Sequence, residues 1–258
     1  MALNRWTREE LIVALNLYLK LPFGKLHSRN ADIVHLAGLI GRTPSSVAIR
    51  LNNFASVDPY HKQRGIGGLP GGKAQVEPIW KEFIDNQANL LFESERILAQ
   101  MENQTLETKY ATDLQDLPNL QGETAMRMVK TRVNQNVFRQ IVLANYQYRC
   151  AITGINIPDL LVASHILPWA ANEKERLNPE NGICLSMLYD KAFDKGLIGI
   201  SPDLVVKVSK SLQSFAKQPF FEFHFGNLNE TKLRDAKKYT PKREFLEWHY
   251  EMVFKADR

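Results

Sequence analysis

Between Arg149 and Ser201 the residues able to do chemistry stand in a telling order. His165 closes the apolar run LLVASHI, Asn181 and Gly182 fall in NPENG, and Asp190 and Asp194 lie four apart in LYDKAFDKG. Phosphodiester hydrolysis needs a base to take a proton from water and a cation to stabilise charge growing on the phosphoryl and leaving oxygens. It also needs a frame that holds both in register. A neutral imidazole is a competent base near pH 7, which suits His165 to the first role. Carboxylates at i and i+4 share a helix face and can point at one hard cation, which suits Asp190 and Asp194 to the second. Asn181, ahead of Gly182, can tie a loop through side-chain to backbone hydrogen bonds and so orient the histidine. Each piece alone has a plainer reading: a structural histidine, a solvated carboxylate pair, an ordinary turn. The order and spacing together carry the signal.

Elements that would position these groups follow from pattern. MRMVKTRVNQNVFRQIVLANYQYRC is amphipathic, with Val129, Val133, Val137, Ile141 and Ala144 recurring every three or four residues. Arg127, Lys130, Arg132 and Arg139 supply its positive charge, suited either to phosphates or to a solvated face. AITG predicts a tight turn at Gly154, LLVASHI a strand, NPENG a second turn and ICLSM another strand. LYDKAFDKG predicts a short helix stopped at Gly196, and LIGIS a further strand. Two strands and a helix clasping a metal make a ββα-metal arrangement.

Upstream, residues 4–58 read as three helices. Thr7 is a plausible N-cap with Glu9 and Glu10 behind it, a second helix fits Asn30 to Ile40, and Thr43-Pro44 opens a third after Gly41. A helix, a Gly turn and a helix opening Arg-Thr-Pro-Ser-Ser outline a helix-turn-helix. Its exposed polar set would be Arg42, Ser45, Ser46, Arg50 and Asn52, placed for the major groove or phosphates. A small helical bundle that docks on the nuclease or on another subunit is the equal alternative. The run GIGGLPGG, Gly65 to Gly72, reads as a flexible loop or hinge; no GK[ST] follows it to make a phosphate-binding loop. A helical pattern resumes from Pro78 to about Met101, and the polar stretch after it reads as a linker. The domain reading is therefore 1–101 helical, 102–123 linker and 124–258 with its chemical core at 149–201.

Bulk properties set bounds. With 258 residues, 44% hydrophobic and 24% charged, the chain has the make-up of an ordinary soluble protein of one large domain or two small ones. A net charge of +5 and a pI near 9.1 suit a polyanionic partner. Cys150 and Cys184 form no CxxC pair, so a thiolate zinc knuckle is excluded and two buried thiols in a reducing cytoplasm are expected. No apolar run of about 18 residues predicts a membrane span, and Met1 to Glu10 lacks a signal-peptide core. Aromatics in the last fifty residues, such as Phe220, Phe223 and Trp248, read as core more readily than as a stacking platform.

The segments CAITG (150–154), ASHI (163–166), NGICL (181–185) and YDKAFDKG (189–196) together resemble the HNH endonuclease superfamily, in particular the branch of bacterial restriction and defence nucleases. The resemblance implies an α+β, mostly α protein: an N-terminal helix-turn-helix-like domain and a C-terminal ββα-metal nuclease domain. It implies His165 as general base, Asn181 as the middle residue of the motif, Asp190 in the place of the final histidine as a metal ligand, and Asp194 beside it. Many relatives carry Asp or His just before the base, where this chain has Ser164. Carboxylate ligands favour Mg²⁺ or Mn²⁺ over softer ions. Double-stranded DNA would be the substrate, with Arg149 and Arg176 gripping phosphates, and a homodimer would serve to cut both strands. The rival readings are a catalytically inactive DNA-binding regulator and a nuclease subunit switched on by a partner.

Overall fold

In the computed structural model, residues 5–65, 67–116, 122–169 and 172–254 are described. The chain is α+β and mostly α. It divides into two compact units, Met1–Ile141 and Val142–Arg258.

The first unit is helical. α1 (Arg8–Lys20) opens on a reciprocal capping box in which the Thr7 side chain accepts from Glu10 N and Glu10 accepts from Thr7 N. α2 (Ala31–Leu39) is capped by Asn30; after Gly41 in the left-handed region, α3 (Pro44–Val57) is capped by Thr43 with Pro44 at its first turn. α4 (Pro59–Gln63), α5 (Lys73–Asp85) and α6 (Gln87–Met101) follow. The predicted run from Pro78 to Met101 is thus two helices parted at Asn86, and Pro78 lies inside α5 rather than at its start. Tyr18, fully buried, stacks on Phe54 at 5.9 Å and meets Trp80 edge-on at 6.1 Å, tying α1, α3 and α5 together.

Two expectations are corrected here. The glycine-rich run packs closely against α3: Leu69 N donates to Asn52 O at 3.1 Å, Asn53 Nδ2 donates to Leu69 O at 2.6 Å, and a side chain at Gly68 would collide with the α3 backbone. Its glycines serve close approach as well as turning; Ile66 lies outside the described residues. The stretch read as linker carries α7 (Leu106–Lys109) and α8 (Ala111–Leu114), with Leu106 and Tyr110 buried in a cluster with Ala99 and Val133. Few apolar residues are enough when each lands inside. Residues 117–121 of that stretch lie outside the described residues. α9 (Gly122–Asn145) begins in the first unit and ends in the second.

The second unit is built on β1 (Leu161–His165) paired antiparallel with β2 (Gly182–Ser186), so that His165 faces Gly182 and Ser164 faces Ile183. α10 (Met187–Asp194) follows β2 directly and packs on both strands. It ends on Gly196 at φ +66°: Gly196 N donates to Phe193 O and Leu197 N to Ala192 O, both at 2.9 Å, which closes the last turn. β3 (Ile198–Ile200) and β4 (Val206–Val208) form a second two-stranded sheet. α11 (Lys210–Gln213), α12 (Pro219–Phe225) and α13 (Arg243–Met252) complete the unit. α13 packs on β3, with the His249 ring stacked flat on Phe193 at 3.6 Å and Phe254 lying over Gly199. Cys150 and Cys184 are buried thiols. Among the described residues no helix is long and apolar enough to cross a membrane.

Candidate active site

β1 delivers His165 to the site at its last position. Its Nε2 lies 2.9 Å from the carbonyl oxygen of Arg176. A carbonyl only accepts, so Nε2 carries the proton and Nδ1 is the basic nitrogen. Trp169 meets the imidazole edge-on at 5.4 Å, and the Arg176 guanidinium lies 5.2 Å from the Trp169 ring centre. Burial pushes the His165 pKa below its ordinary 6.5, against the opposing pull of the Arg176 carbonyl and the Asp190 charge. The ring is therefore held neutral at pH 7.

Asn181 holds the loop that carries this carbonyl. Fully buried, its Oδ1 accepts from Leu167 N at 2.7 Å, while Nδ2 donates to Glu175 O at 3.1 Å and Leu167 O at 3.3 Å. Its backbone carbonyl accepts from Ile166 N at 3.0 Å. Asn181 thus pins both ends of the loop next to His165, one residue before the Arg176 carbonyl and two after the imidazole. It acts as a positioning residue; all its polar side-chain atoms face backbone.

Across from His165, α10 presents Asp190 in its first turn and Asp194 at its end. Burial raises the Asp190 pKa above 3.8, opposed by the Ser164 hydroxyl, by Lys191 and by His165. Loss of hydration and the like charge of Asp190 raise Asp194 as well. Each of these shifts reports proximity: imidazole and carboxylate feel one another, and so do the two carboxylates. Ser164 is buried, and its Oγ has no hydrogen-bond partner of good geometry although it influences Asp190. Among the described residues no three His, Cys, Asp or Glu side chains converge on one point. The donors on hand are oxygens: a half-buried carboxylate, an unsatisfied buried hydroxyl and a second carboxylate one helical turn along. That set suits a hard divalent ion that binds through one or two carboxylates and keeps several waters.

The basic residues sort differently from their sequence reading. Arg149 is exposed and donates to Gly154 O at 3.3 Å. Arg176 is fixed by a 2.6 Å bond from Nε to Trp169 O and a 3.3 Å ion pair with Glu173. Arg132 is exposed and Arg139 half-buried on α9, within the first unit. Arg42, Arg50 and Asn52 do not form the exposed face expected of them. Arg42 is bidentate to Glu10, at 2.9 and 2.8 Å; Arg50 is 9% exposed; and Asn52 donates to Leu26 O and Ala48 O. Ser45 alone of that set is exposed; Arg42, ahead of α3, and Arg50, within it, both lie over the Trp6 ring.

Sequence reasoning missed the Arg176 carbonyl, which no residue type signals, and the role of Trp169. The latter had a faint cue in its position four residues after the base.

Residues 150–201 match the family model described as HNH endonuclease, the span that holds β1, β2, α10 and β3. The match supports the HNH endonuclease superfamily for this segment. No curated protein matches the chain.

Proposed function

We propose that the protein is a metal-dependent endonuclease that hydrolyses phosphodiester bonds in double-stranded DNA. The observation that carries this reading is a neutral imidazole, tautomerically set by the Arg176 carbonyl, within electrostatic reach of Asp190 on α10. HNH nucleases generally use divalent metals. Here Asp190, with Ser164 Oγ beside it and Asp194 a turn away, would hold Mg²⁺ or Mn²⁺. Such an ion supplies Lewis-acid stabilisation of charge on the phosphoryl and leaving oxygens.

The chain's own residues account for the rest. His165 Nδ1 takes a proton from the attacking water as the Arg176 carbonyl steadies the imidazolium through Nε2–H. Asn181 keeps that carbonyl in place. Arg149 and Arg176 lie in the same unit as candidates for phosphate contact. The first unit serves recognition or assembly, and the setting, on the resemblance to restriction-type relatives, is restriction or anti-phage defence. Cutting both strands takes two such sites, which a homodimer would provide.

Supercoiled plasmid incubated with Mg²⁺ or Mn²⁺ should be nicked, and EDTA should stop it. His165→Ala should lower the rate by about 10²–10⁴-fold, with an unchanged circular dichroism spectrum and DNA gel shift. Full activity in that variant removes the base assignment. Gel-shifted DNA with no nicking by the wild type in any metal would instead support a DNA-binding regulator.

A further inference from the structure

The first unit brings two arginines together over one tryptophan, and a single carboxylate pairs with only one of them. Arg42 and Arg50 lie over the Trp6 ring, at 4.5 and 4.9 Å from its centre. Glu10 is the carboxylate at this cluster, and it is bidentate to Arg42 while also accepting from Thr7 N at 2.7 Å. Arg50 makes no ion pair among the described residues. Its Nη1 has only the neutral Asn53 Oδ1 at 3.2 Å, and its Nε is buried without a partner. A buried cation left in this state is costly unless something negative meets it. Burial and the like charge of Arg42 push the Arg50 pKa down, against the weaker pull of Glu10.

The start of α5 lies against the same group. Gly72, its N-cap, offers no side-chain acceptor, and its first turn has no acidic residue. A Cβ placed on Gly72 would sit 2.1 Å from Asn53 Oδ1 and 2.8 Å from Arg50 Nη1, so the Asn53 amide and the guanidinium it accepts from both border the start of α5. The first-turn residues Lys73, Ala74 and Gln75 are exposed. Helix N-termini present unpaired N–H groups and a partial positive charge, and guanidinium forks match tetrahedral oxyanions. Arg42 is paired with Glu10 and Lys73 N donates to Pro70 O, but among the described residues neither Arg50 nor the exposed first turn of α5 has an ion-pair partner of its own.

We propose that Arg50 and the N-terminus of α5, with Lys73 at its mouth, form a binding site for a phosphate group. The ligand is an oxyanion of the phosphate class, either a backbone phosphate of nucleic acid or a small phosphate compound. The site is independent of the nuclease reading and lies in the other unit.

Inorganic phosphate, titrated into the full chain at constant ionic strength against chloride, is the probe. A saturable rise in melting temperature of several degrees is expected, specific to phosphate. Ala74→Asp should abolish it by placing a carboxylate at the exposed first turn, where it is well tolerated by the helix. Arg50→Gln should abolish it too if folded by circular dichroism; Ala74→Asp decides the matter if it is not. No phosphate-specific rise, or an equal rise in Ala74→Asp, overturns the proposal. Duplex DNA binding by Ala74→Asp then names the source. Weaker binding, with a salt slope about one unit shallower, identifies a DNA phosphate, and unchanged binding identifies a small phosphate ligand. Plasmid cleavage by His165→Ala reads the nuclease site separately, so either idea can fail alone.

Discussion

A single carbonyl decides which nitrogen of His165 carries the proton, and burial lowers the pH at which the ring takes a second one. The His165 pKa is depressed below 6.5 and those of Asp190 and Asp194 are raised above 3.8. On the proposed mechanism, protonating the imidazole removes the base, and protonating the carboxylates removes the charge that would hold a cation. Both losses occur on the acid side, so the single-turnover cleavage rate should be level from neutral pH upward and fall below pH 6.5. An acid limb centred above that value would show that His165 is not the group titrating. Asn181 was legible as a loop tie because Asn before Gly has few other uses in such a pattern. Its partners were not legible, since they are backbone groups. Asn181→Ala leaves the buried Leu167 N–H without its acceptor and frees two carbonyls. The cost should be roughly 2 to 4 kcal/mol in denaturant unfolding, accompanied by a loss of cleavage at temperatures where the fold is intact. An unchanged unfolding midpoint would contradict the pinning role.

Among the elements, α10 depends on how it is stopped. Gly196 adopts φ +66°, and a side chain there would meet the Val253 carbonyl. Gly196→Ala thus combines left-handed strain with a backbone collision, and should destabilise by at least about 1 kcal/mol. Because the same turn sets where Asp194 stands, cleavage should weaken with it; calorimetry and nicking assays check the two effects together. Helix starts were readable from short-range chemistry: Thr7 and Thr43 cap as their residue types predict, and Asn30, read as the first residue of its helix, is the cap one position before it. What α3 presents to solvent was not readable. Arg42 and Arg50 look like surface residues in a one-dimensional pattern, and only the position of Trp6 turns them inward. The two short helices after Met101 escaped notice for a related reason, as two buried residues, Leu106 and Tyr110, leave almost no periodic trace.

For the whole molecule, acid should act on the two units in different ranges. His249, buried against Phe193, is held neutral by burial with a pKa of about 4 against 6.5. A depressed histidine means the unfolded chain binds the extra proton first, so stability is complete above 6.5 and declines as pH falls toward 4. The full loss is about 3 kcal/mol for the second unit. In the first unit, burial alone would raise the Glu95 carboxyl, yet Lys20 at 2.7 Å and Lys109 at 3.3 Å outweigh it and hold it at about 2. That contribution, also about 3 kcal/mol, is complete above 4.5 and declines from there toward 2. Scanning calorimetry between pH 7 and pH 3 should show one transition falling first. His249→Phe should blunt its decline between 6.5 and 4, whereas Glu95→Gln should lower the other transition at neutral pH. A common response of both transitions to His249→Phe would refute the separation.

Local chemistry was enough to establish the helix caps, the two strands and the helix after them, and the order of His165, Asn181, Asp190 and Asp194, because each depends on residue type at short range. Tertiary structure alone decided which imidazole nitrogen is basic, that the Ser164 hydroxyl is buried beside Asp190, and that Arg50 is enclosed without an ion-pair partner of its own among the described residues. Those outcomes depend on backbone carbonyls and buried neighbours brought together across the chain, and neither leaves a mark on the letters of a sequence.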